Sequence, residues 1–146
     1  MPSFVAARGW DAPLSPREVL DRARMALMEG GPINGTWRDG AVVAHPDVRI
    51  AVALPGSVFP VLGDYEALVA RDPASFTAPE VSGATFTVWG LGSELDWLTP
   101  PLLPRQAAGL GVGRAGLTLV CDARVLTPAD ADAFLAALGE KHPNTG

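Results

Sequence analysis

The sequence predicts an α/β sandwich in which a mostly mixed β-sheet packs against two or three helices. Strand-like runs rich in β-branched and aromatic residues alternate with segments of helical periodicity. Glycine and proline are frequent, with 16 Gly and 14 Pro in 146 residues, which indicates many short elements rather than a helical bundle. Hydrophobic residues make up 48% of the chain, enough to bury the core of one domain.

The first regular element is a helix that begins at Ser15, after an N-terminal arm (residues 1–14) without clear periodicity. Ser15-Pro-Arg-Glu18 is a capping box with proline at the first helical position, and apolar residues then recur at helical spacing. Gly30-Gly31-Pro32 ends this helix. Turn residues then separate three β-rich runs, which predict a meander of strands at residues 41–44, 48–54 and 58–62.

The second half of the chain contains strands, a proline-rich segment and a final helix. A short helix is predicted at 64–70, a connection at 73–83, and strands at 84–89, 110–112 and 117–121. Residues 98–104 hold three prolines, which cannot donate hydrogen bonds to a sheet, so this segment is expected to be a wall or interface loop. A last helix begins at the cap Thr127 and ends at Gly139, which places the domain at 15–140 and a tail at 141–146.

Charge and composition argue against several classes of partner. Eleven basic and sixteen acidic residues give a net charge of −5, and the basic residues are scattered, so we expect no nucleic-acid partner. No apolar run approaches the roughly 20 residues of a membrane span, and no signal sequence is visible, so we expect a cytoplasmic protein without a membrane partner. One cysteine and two histidines make a disulfide framework or zinc site improbable, and no metal or cofactor is expected.

The glycines of Gly109-Leu-Gly111-Val-Gly113 could suggest a nucleotide-binding loop. A phosphate-binding loop needs its glycines to open a helix, whereas here a strand-like run, LTLVC, follows. We therefore interpret them as sites of close backbone approach within a sheet, followed by a tight turn.

Cys121, His45 and His142 are weak candidates for catalysis. Cys121 lies near Arg124, which could activate a thiolate, but the apolar strand before it favours a buried structural cysteine. His45 stands in a turn between strands and His142 in the tail. Either histidine could act as a general base only if the fold brought it to a pocket.

From Ile33 onward the chain resembles the catalytic domain of dihydrolipoamide acyltransferases of 2-oxo acid dehydrogenase complexes, which shares the fold of chloramphenicol acetyltransferase. The family's patterns are Asn-x-x-Trp, Thr-Phe-Thr-Ile-Ser-Asn-Leu-Gly, Pro-x-x-Ala-x-Leu-Gly-Val-Gly and Asp-His-Arg. Here they correspond, in the same order, to INGTW (33–37), ATFTVWGLG (84–92), PRQAAGLGVG (104–113) and DAR (122–124). The resemblance implies a chloramphenicol acetyltransferase-like two-layer sandwich, an active site between neighbouring subunits, and a homotrimer.

The chain departs from the family where the chemistry is carried out. In the family the signature histidine is the base, an aspartate four residues later supports it, and a serine donates to the tetrahedral oxyanion. The matching positions here are Ala123, Thr127 and Trp89. Loss of one oxyanion donor alone typically costs about 100- to 1,000-fold in rate. The resemblance therefore implies that the family's acyl transfer has been lost.

The chain also looks truncated relative to the family. The first strand-and-helix portion is expected to be missing, the helix after Asp64 is expected to be shortened, and the hairpin before the last strand is reduced to 114–116. The elements that build the threefold interface in the family are expected to remain. A cleft between subunits could therefore persist, with Trp89, Trp97, Asp122, Ala123 and Arg124 as candidate lining residues.

Three functions remain open. The first is a repurposed small-molecule enzyme or binder, for example a cyclase or dehydratase in specialised metabolism, that accepts a hydrophobic or acyl-derived molecule in the cleft. The second is a non-catalytic pseudoenzyme with a structural or regulatory role that assembles with a partner. The third is residual acyl transfer by unfamiliar residues such as His45 or Cys121.

Overall fold

A computed structural model describes residues 2–55, 57 and 59–139. These form a mixed six-stranded sheet, a separate two-stranded sheet and α-helices, as the α/β prediction requires. In chain order the strands and α-helices are β1 (Ser3–Gly9), α1 (Pro16–Met28), β2 (Gly35–Arg38), β3 (Ala41–Ala44), β4 (Ile50–Val52), β5 (Val61–Leu62), α2 (Tyr65–Val69), β6 (Phe86–Trp89), β7 (Ala108–Val112), β8 (Gly116–Asp122) and α3 (Pro128–Gly139).

The large sheet has the strand order β1-β8-β7-β6-β4-β5. Its centre is parallel, because β6 runs parallel to both β4 and β7. The flanking pairs β1/β8, β7/β8 and β4/β5 are antiparallel, so the sheet is mixed. Within the described residues, no helix is long and apolar enough to cross a membrane.

The core lies between this sheet and helices α1 and α3. Buried apolar side chains of both helices join those of β6, β7 and β8 in one cluster. Phe86 of β6 is fully buried, and its ring centroid lies 5.4 Å from that of Phe134 in α3. Both predicted helix caps are present: Ser15 Oγ accepts from the Glu18 amide, and Thr127 Oγ1 accepts from the Asp130 amide.

The prediction of an irregular N-terminal arm is wrong, because residues 3–9 form strand β1. This strand pairs with β8 along its whole length, from Ser3 opposite Asp122 to Gly9 opposite Gly116. The family comparison predicted that a strand-and-helix portion is missing before Ser15; the described residues there hold strand β1 and no helix. Its pairing partner lies more than 100 residues away along the chain, so local periodicity gave no sign of it.

The predicted three-stranded meander is also wrong. Strand β3 pairs with β2 in a hairpin, whereas β4 enters the large sheet between β6 and β5. The turn of the hairpin is Asp39-Gly40, both with positive φ, at 51° and 80°. This is the conformation of a type I′ turn, which favours an Asp-Gly pair, so the signal for β2 was present in the sequence.

The other predicted elements are confirmed with small shifts of their ends. The short helix after Asp64, the strand ending at Trp89 and the two strands around the 113–116 turn are all present. Residues 98–104 form a loop outside the sheet, as the prolines predicted.

Arg71 and Glu80 organise the loop between α2 and β6. The Arg71 guanidinium donates to the Glu80 carboxylate and lies 4.6 Å from the ring centroid of Phe76. The Thr77 amide donates to the same carboxylate at 3.1 Å. The hydrogen bond from Arg71, followed by that from Thr77, lowers the pKa of Glu80 to about 2.

We expect Glu80→Gln to flatten the acid limb of the stability profile. Because the folded-state pKa lies below the ordinary 4.5 of the carboxyl, its stabilisation is present above pH 4.5 and is lost as the pH falls toward 2. The pair is exposed to solvent, so the loss is small. Thermal unfolding of both proteins between pH 2 and 6 measures it. Parallel profiles of the two proteins would show that Glu80 titrates normally.

Candidate functional site

At the end of strand β8, a buried carboxylate forms an ion pair with a partly exposed arginine. The side chain of Asp122 is 4% exposed, and its carboxylate accepts hydrogen bonds from Arg124 Nη2 at 2.7 Å and Nε at 3.0 Å. The backbone amide of Arg124 donates to the same carboxylate at 3.0 Å. The hydrogen bonds from the Arg124 side chain lower the pKa of Asp122, against the opposing effect of burial. The carboxylate is therefore held ionised.

Arg124 connects this pair to strand β2. Its guanidinium carbon lies 5.4 Å from the centroid of the Trp37 ring, within the range of a cation–π contact. Between the two charged residues, Ala123 is exposed, and its amide donates to the Pro2 carbonyl at 3.1 Å. The position of the family's histidine therefore offers a methyl group and no proton acceptor.

Trp89 ends strand β6, where the family resemblance places an oxyanion donor. The indole is half-buried, and its buried Nε1–H has no hydrogen-bond partner among the described residues. A Cβ built on Gly109 would lie 3.7 Å from this nitrogen, so the indole edge faces a strand backbone that carries no side chain there. An indole N–H is a hydrogen-bond donor only. The position thus keeps a donor, although its chemistry has changed.

The five predicted lining residues do not meet within one chain. Trp97 is 46% exposed, and its ring packs on Gly116, at the opposite end of β8 from Asp122. Six strand residues at about 3.3 Å each separate those ends by roughly 20 Å. Trp89 is in register with Gly111, which pairs with Thr118, about 13 Å along the strand from Asp122. Within one chain, therefore, Trp97 lies at one end of β8 and Asp122, Ala123 and Arg124 lie at the other. Trp89 lies between them, with its indole Nε1 beside Gly109, which pairs with Val120.

Gly111 in β7 and Gly113, directly after it, serve close packing, as the sequence predicted. A Cβ at Gly111 would lie 2.6 Å from the Leu98 carbonyl oxygen, and one at Gly113 would lie 2.6 Å from the Asp96 carbonyl carbon. The loop that carries Asp96 and Leu98 therefore crosses directly over these strand positions. Strand β8 follows the glycines, so they do not open a helix as a phosphate-binding loop would.

The weaker catalytic candidates take structural positions. Cys121 is fully buried, and this burial raises the pKa of its thiol to about 12, so it is no activated thiolate. His45 Nε2 lies 2.7 Å from the Arg105 carbonyl oxygen. His142 lies outside the described residues. In the described part of the chain, no group of three or more His, Cys, Asp or Glu residues could hold a metal ion.

Sequence reasoning missed a pocket beside the hairpin of β2 and β3. This cavity, here called the Trp37 pocket, has a volume of about 450 Å³. Its lining residues include Thr36, Trp37, Arg38, Val43, His45 and Arg105. The Trp37 ring also contacts the Arg124 guanidinium, so the pocket adjoins the Asp122–Arg124 ion pair at the end of β8. Arg105 is distant from the hairpin in sequence, and only the fold brings it there.

No protein-family model and no curated protein sequence matches the chain, but solved structures do. A probable dihydrolipoamide acetyltransferase from Listeria monocytogenes 4b F2365 superposes with a TM-score of 0.79 at 18% identity, over 94% of this chain and 82% of that one. The chain has the fold of a dihydrolipoamide acyltransferase catalytic core. Chloramphenicol acetyltransferase superposes with a TM-score of 0.61 at 11% identity, over 94% of this chain and 87% of that one.

A third solved structure has the same fold. The dihydrolipoamide acetyltransferase of Azotobacter vinelandii superposes with a TM-score of 0.78 at 21% identity, over 94% of this chain and 80% of that one. That enzyme was studied for the roles of a serine, a histidine and an asparagine in its catalytic mechanism. The predicted two-layer acyltransferase fold is thus confirmed.

Proposed function

We propose that this protein is a divergent acyltransferase-fold protein that handles a hydrophobic or acyl-derived small molecule without histidine-based acyl transfer. One observation carries the proposal: the Asp122–Arg124 pair is intact around an exposed Ala123 that has no proton acceptor. The aspartate and arginine of the signature segment are kept as Asp122 and Arg124, while the positions that the resemblance assigns to the base and to its supporting aspartate carry Ala123 and Thr127. Such a site retains its shape and loses its base.

The neighbouring residues supply no substitute base. The Thr127 hydroxyl is used in the cap of α3, where it contacts the Asp130 carboxylate at 3.0 Å. The Asp122 carboxylate is occupied by Arg124. On strand β6, Trp89 contributes an N–H donor and no acceptor. These residues can orient and desolvate a ligand, which suits a cyclisation or dehydration of a reactive intermediate in specialised metabolism.

The site that we propose is a cleft between two copies of the chain, in the homotrimer that the family resemblance implies. Trp97 and the Asp122–Arg124 pair lie at opposite ends of β8, so a second copy would be needed to bring them face to face. The unpartnered Trp89 N–H favours this arrangement, because a buried donor without a partner costs about 1–3 kcal/mol, and a ligand oxygen in the cleft could accept from it.

We expect Trp89→Ala to weaken binding of a neutral acyl probe, the N-acetylcysteamine thioester of octanoate, by about tenfold or more while the trimer persists. Isothermal titration measures binding, and size exclusion with light scattering measures the assembly. Trp89→Phe keeps a ring but removes the N–H, and Trp10→Phe makes the same change elsewhere. Unchanged binding in both Trp89 variants would remove Trp89 from the site.

Three further results would overturn the wider proposal. A wild-type protein that is monomeric at micromolar concentration would exclude a cleft between copies. Turnover of acetyl-CoA with thiol or alcohol acceptors would revive residual acyl transfer. A protein that assembles only with an added partner chain would favour the pseudoenzyme alternative.

A further inference from the structure

The Trp37 pocket is positively charged in a protein that is acidic overall. Both charged residues that line it, Arg38 and Arg105, carry a guanidinium, and no carboxylate of the described residues lines it. Arg38 also forms an exposed ion pair with Asp39, at 3.9 Å, but the Asp39 carboxylate lies outside the lining. The whole chain has a net charge of −5. The sign of the pocket is therefore a local feature, opposite to that of the molecule.

Arg105 holds a backbone conformation that ordinarily favours glycine. The Gln106 amide donates to the Leu103 carbonyl at 3.3 Å and closes a four-residue turn. Pro104 occupies its second position, and Arg105 the third, with φ of +66°. A type II turn has this pattern and usually places glycine at the third position. An arginine at this position is unfavourable for folding. Folding alone therefore does not explain why the position carries an arginine side chain.

The Arg105 guanidinium makes no hydrogen bond or ion pair with any residue that the structure describes. Its backbone, in contrast, is fixed on both sides: His45 Nε2 donates to its carbonyl, and the Gln106 side chain is buried and bonded to Thr87. A rigid backbone therefore presents a charged group that has no partner of its own at the pocket.

The side chains in the wall of the pocket are also held in place by contacts within the protein. Trp37 is held by Arg124, which is in turn held by buried Asp122. The hydrogen bond from His45 Nε2 to the Arg105 carbonyl fixes the imidazole in the same wall. The pocket thus combines a fixed aromatic ring, two guanidinium groups and one imidazole in about 450 Å³, within the usual size range of small-molecule sites.

We infer that the Trp37 pocket binds a small organic anion, whose carboxylate or phosphate oxygens contact Arg38 and Arg105 and whose flat apolar body packs against Trp37. Guanidinium groups bind both oxyanions through paired, charge-assisted hydrogen bonds. Tryptophan offers a large apolar face to a planar ligand. The pocket lies within one chain, so this inference is independent of the proposed cleft between copies.

The test is isothermal titration of the intact protein at low salt with three probes that share a naphthalene ring: 2-naphthoate, 2-naphthyl phosphate and the neutral 2-naphthamide. We expect at least one anion to bind about tenfold more tightly than the amide, and the tighter anion identifies the preferred oxyanion. Equal binding of all three probes, or no binding of either anion, would overturn the inference.

Arg105 variants separate binding from folding. Arg105→Gln should weaken binding of the preferred anion by about tenfold, whereas Arg17→Gln, an equal charge change on an exposed face of α1, should leave it unchanged. Arg105→Gly should also lose binding, yet its melting temperature should be unchanged or raised by about 3 °C, because glycine suits the turn. Wild-type affinity in both Arg105 variants, or equal weakening by Arg17→Gln, would contradict the assignment.

Discussion

Gly113→Ala is expected to lower the free energy of unfolding by about 3 kcal/mol. The new Cβ would lie 2.6 Å from the Asp96 carbonyl carbon and 3.0 Å from Trp97 Cα, both backbone atoms that no rotamer change can move. The loop itself is fixed, because the amides of Arg114 and Ala115 donate to the carbonyls of Leu95 and Asp96 at 2.8 and 3.0 Å. Urea unfolding followed by circular dichroism measures the loss.

Gly9→Ala is the matched control. It makes the same change in strand β1, where the added Cβ would meet only the Ala115 carbonyl oxygen, at an ordinary 3.6 Å. We expect a change within about 0.5 kcal/mol. Equal effects at the two positions would show that the loop over β7 yields easily, and that close approach does not explain glycine at position 113.

The glycine pattern is an example of a structural feature that could be predicted from the sequence. Glycines at alternate positions of an apolar run lie on one face of a strand, so the sequence alone indicated a backbone crossing there. The prolines of residues 98–104 excluded that segment from the sheet by the same local logic. Caps at Ser15 and Thr127 fixed both long helices, because their hydrogen bonds span only three residues.

Features that depend on pairing between distant segments could not be predicted from local sequence patterns. Strand β1 is stabilised by its backbone hydrogen bonds with β8, and the local sequence of residues 3–9 does not indicate this pairing. Trp97 and Asp122 are far apart because Trp97 packs on Gly116, the first residue of β8, whereas Asp122 is its last residue. This separation depends on the register of the sheet. The Trp37 pocket needs Arg105 beside the hairpin, a contact made by two loops far apart in the chain.

Asp122 is the residue at which the fold and the candidate site depend on each other most directly. Its carboxylate is almost completely buried and accepts three hydrogen bonds from Arg124. Removal of the carboxylate would leave the guanidinium without its buried partner and would release it from Trp37. The Arg124 side chain is 34% exposed, so water would compensate part of the loss.

Asp122→Ala should therefore lower the free energy of unfolding at neutral pH by about 2 kcal/mol, and Asp122→Asn, which keeps the shape and one acceptor, by less. Because Arg124 lowers the pKa of Asp122 in the folded state, the wild-type advantage is present above the ordinary aspartate pKa and is lost as the pH falls below it. Urea unfolding at neutral and acidic pH measures both effects. Near-ultraviolet circular dichroism should also change, because Trp37 loses the cation that lies over its ring. Wild-type stability of Asp122→Ala at neutral pH, with an unchanged aromatic spectrum, would show that the pair supports neither the fold nor the pocket.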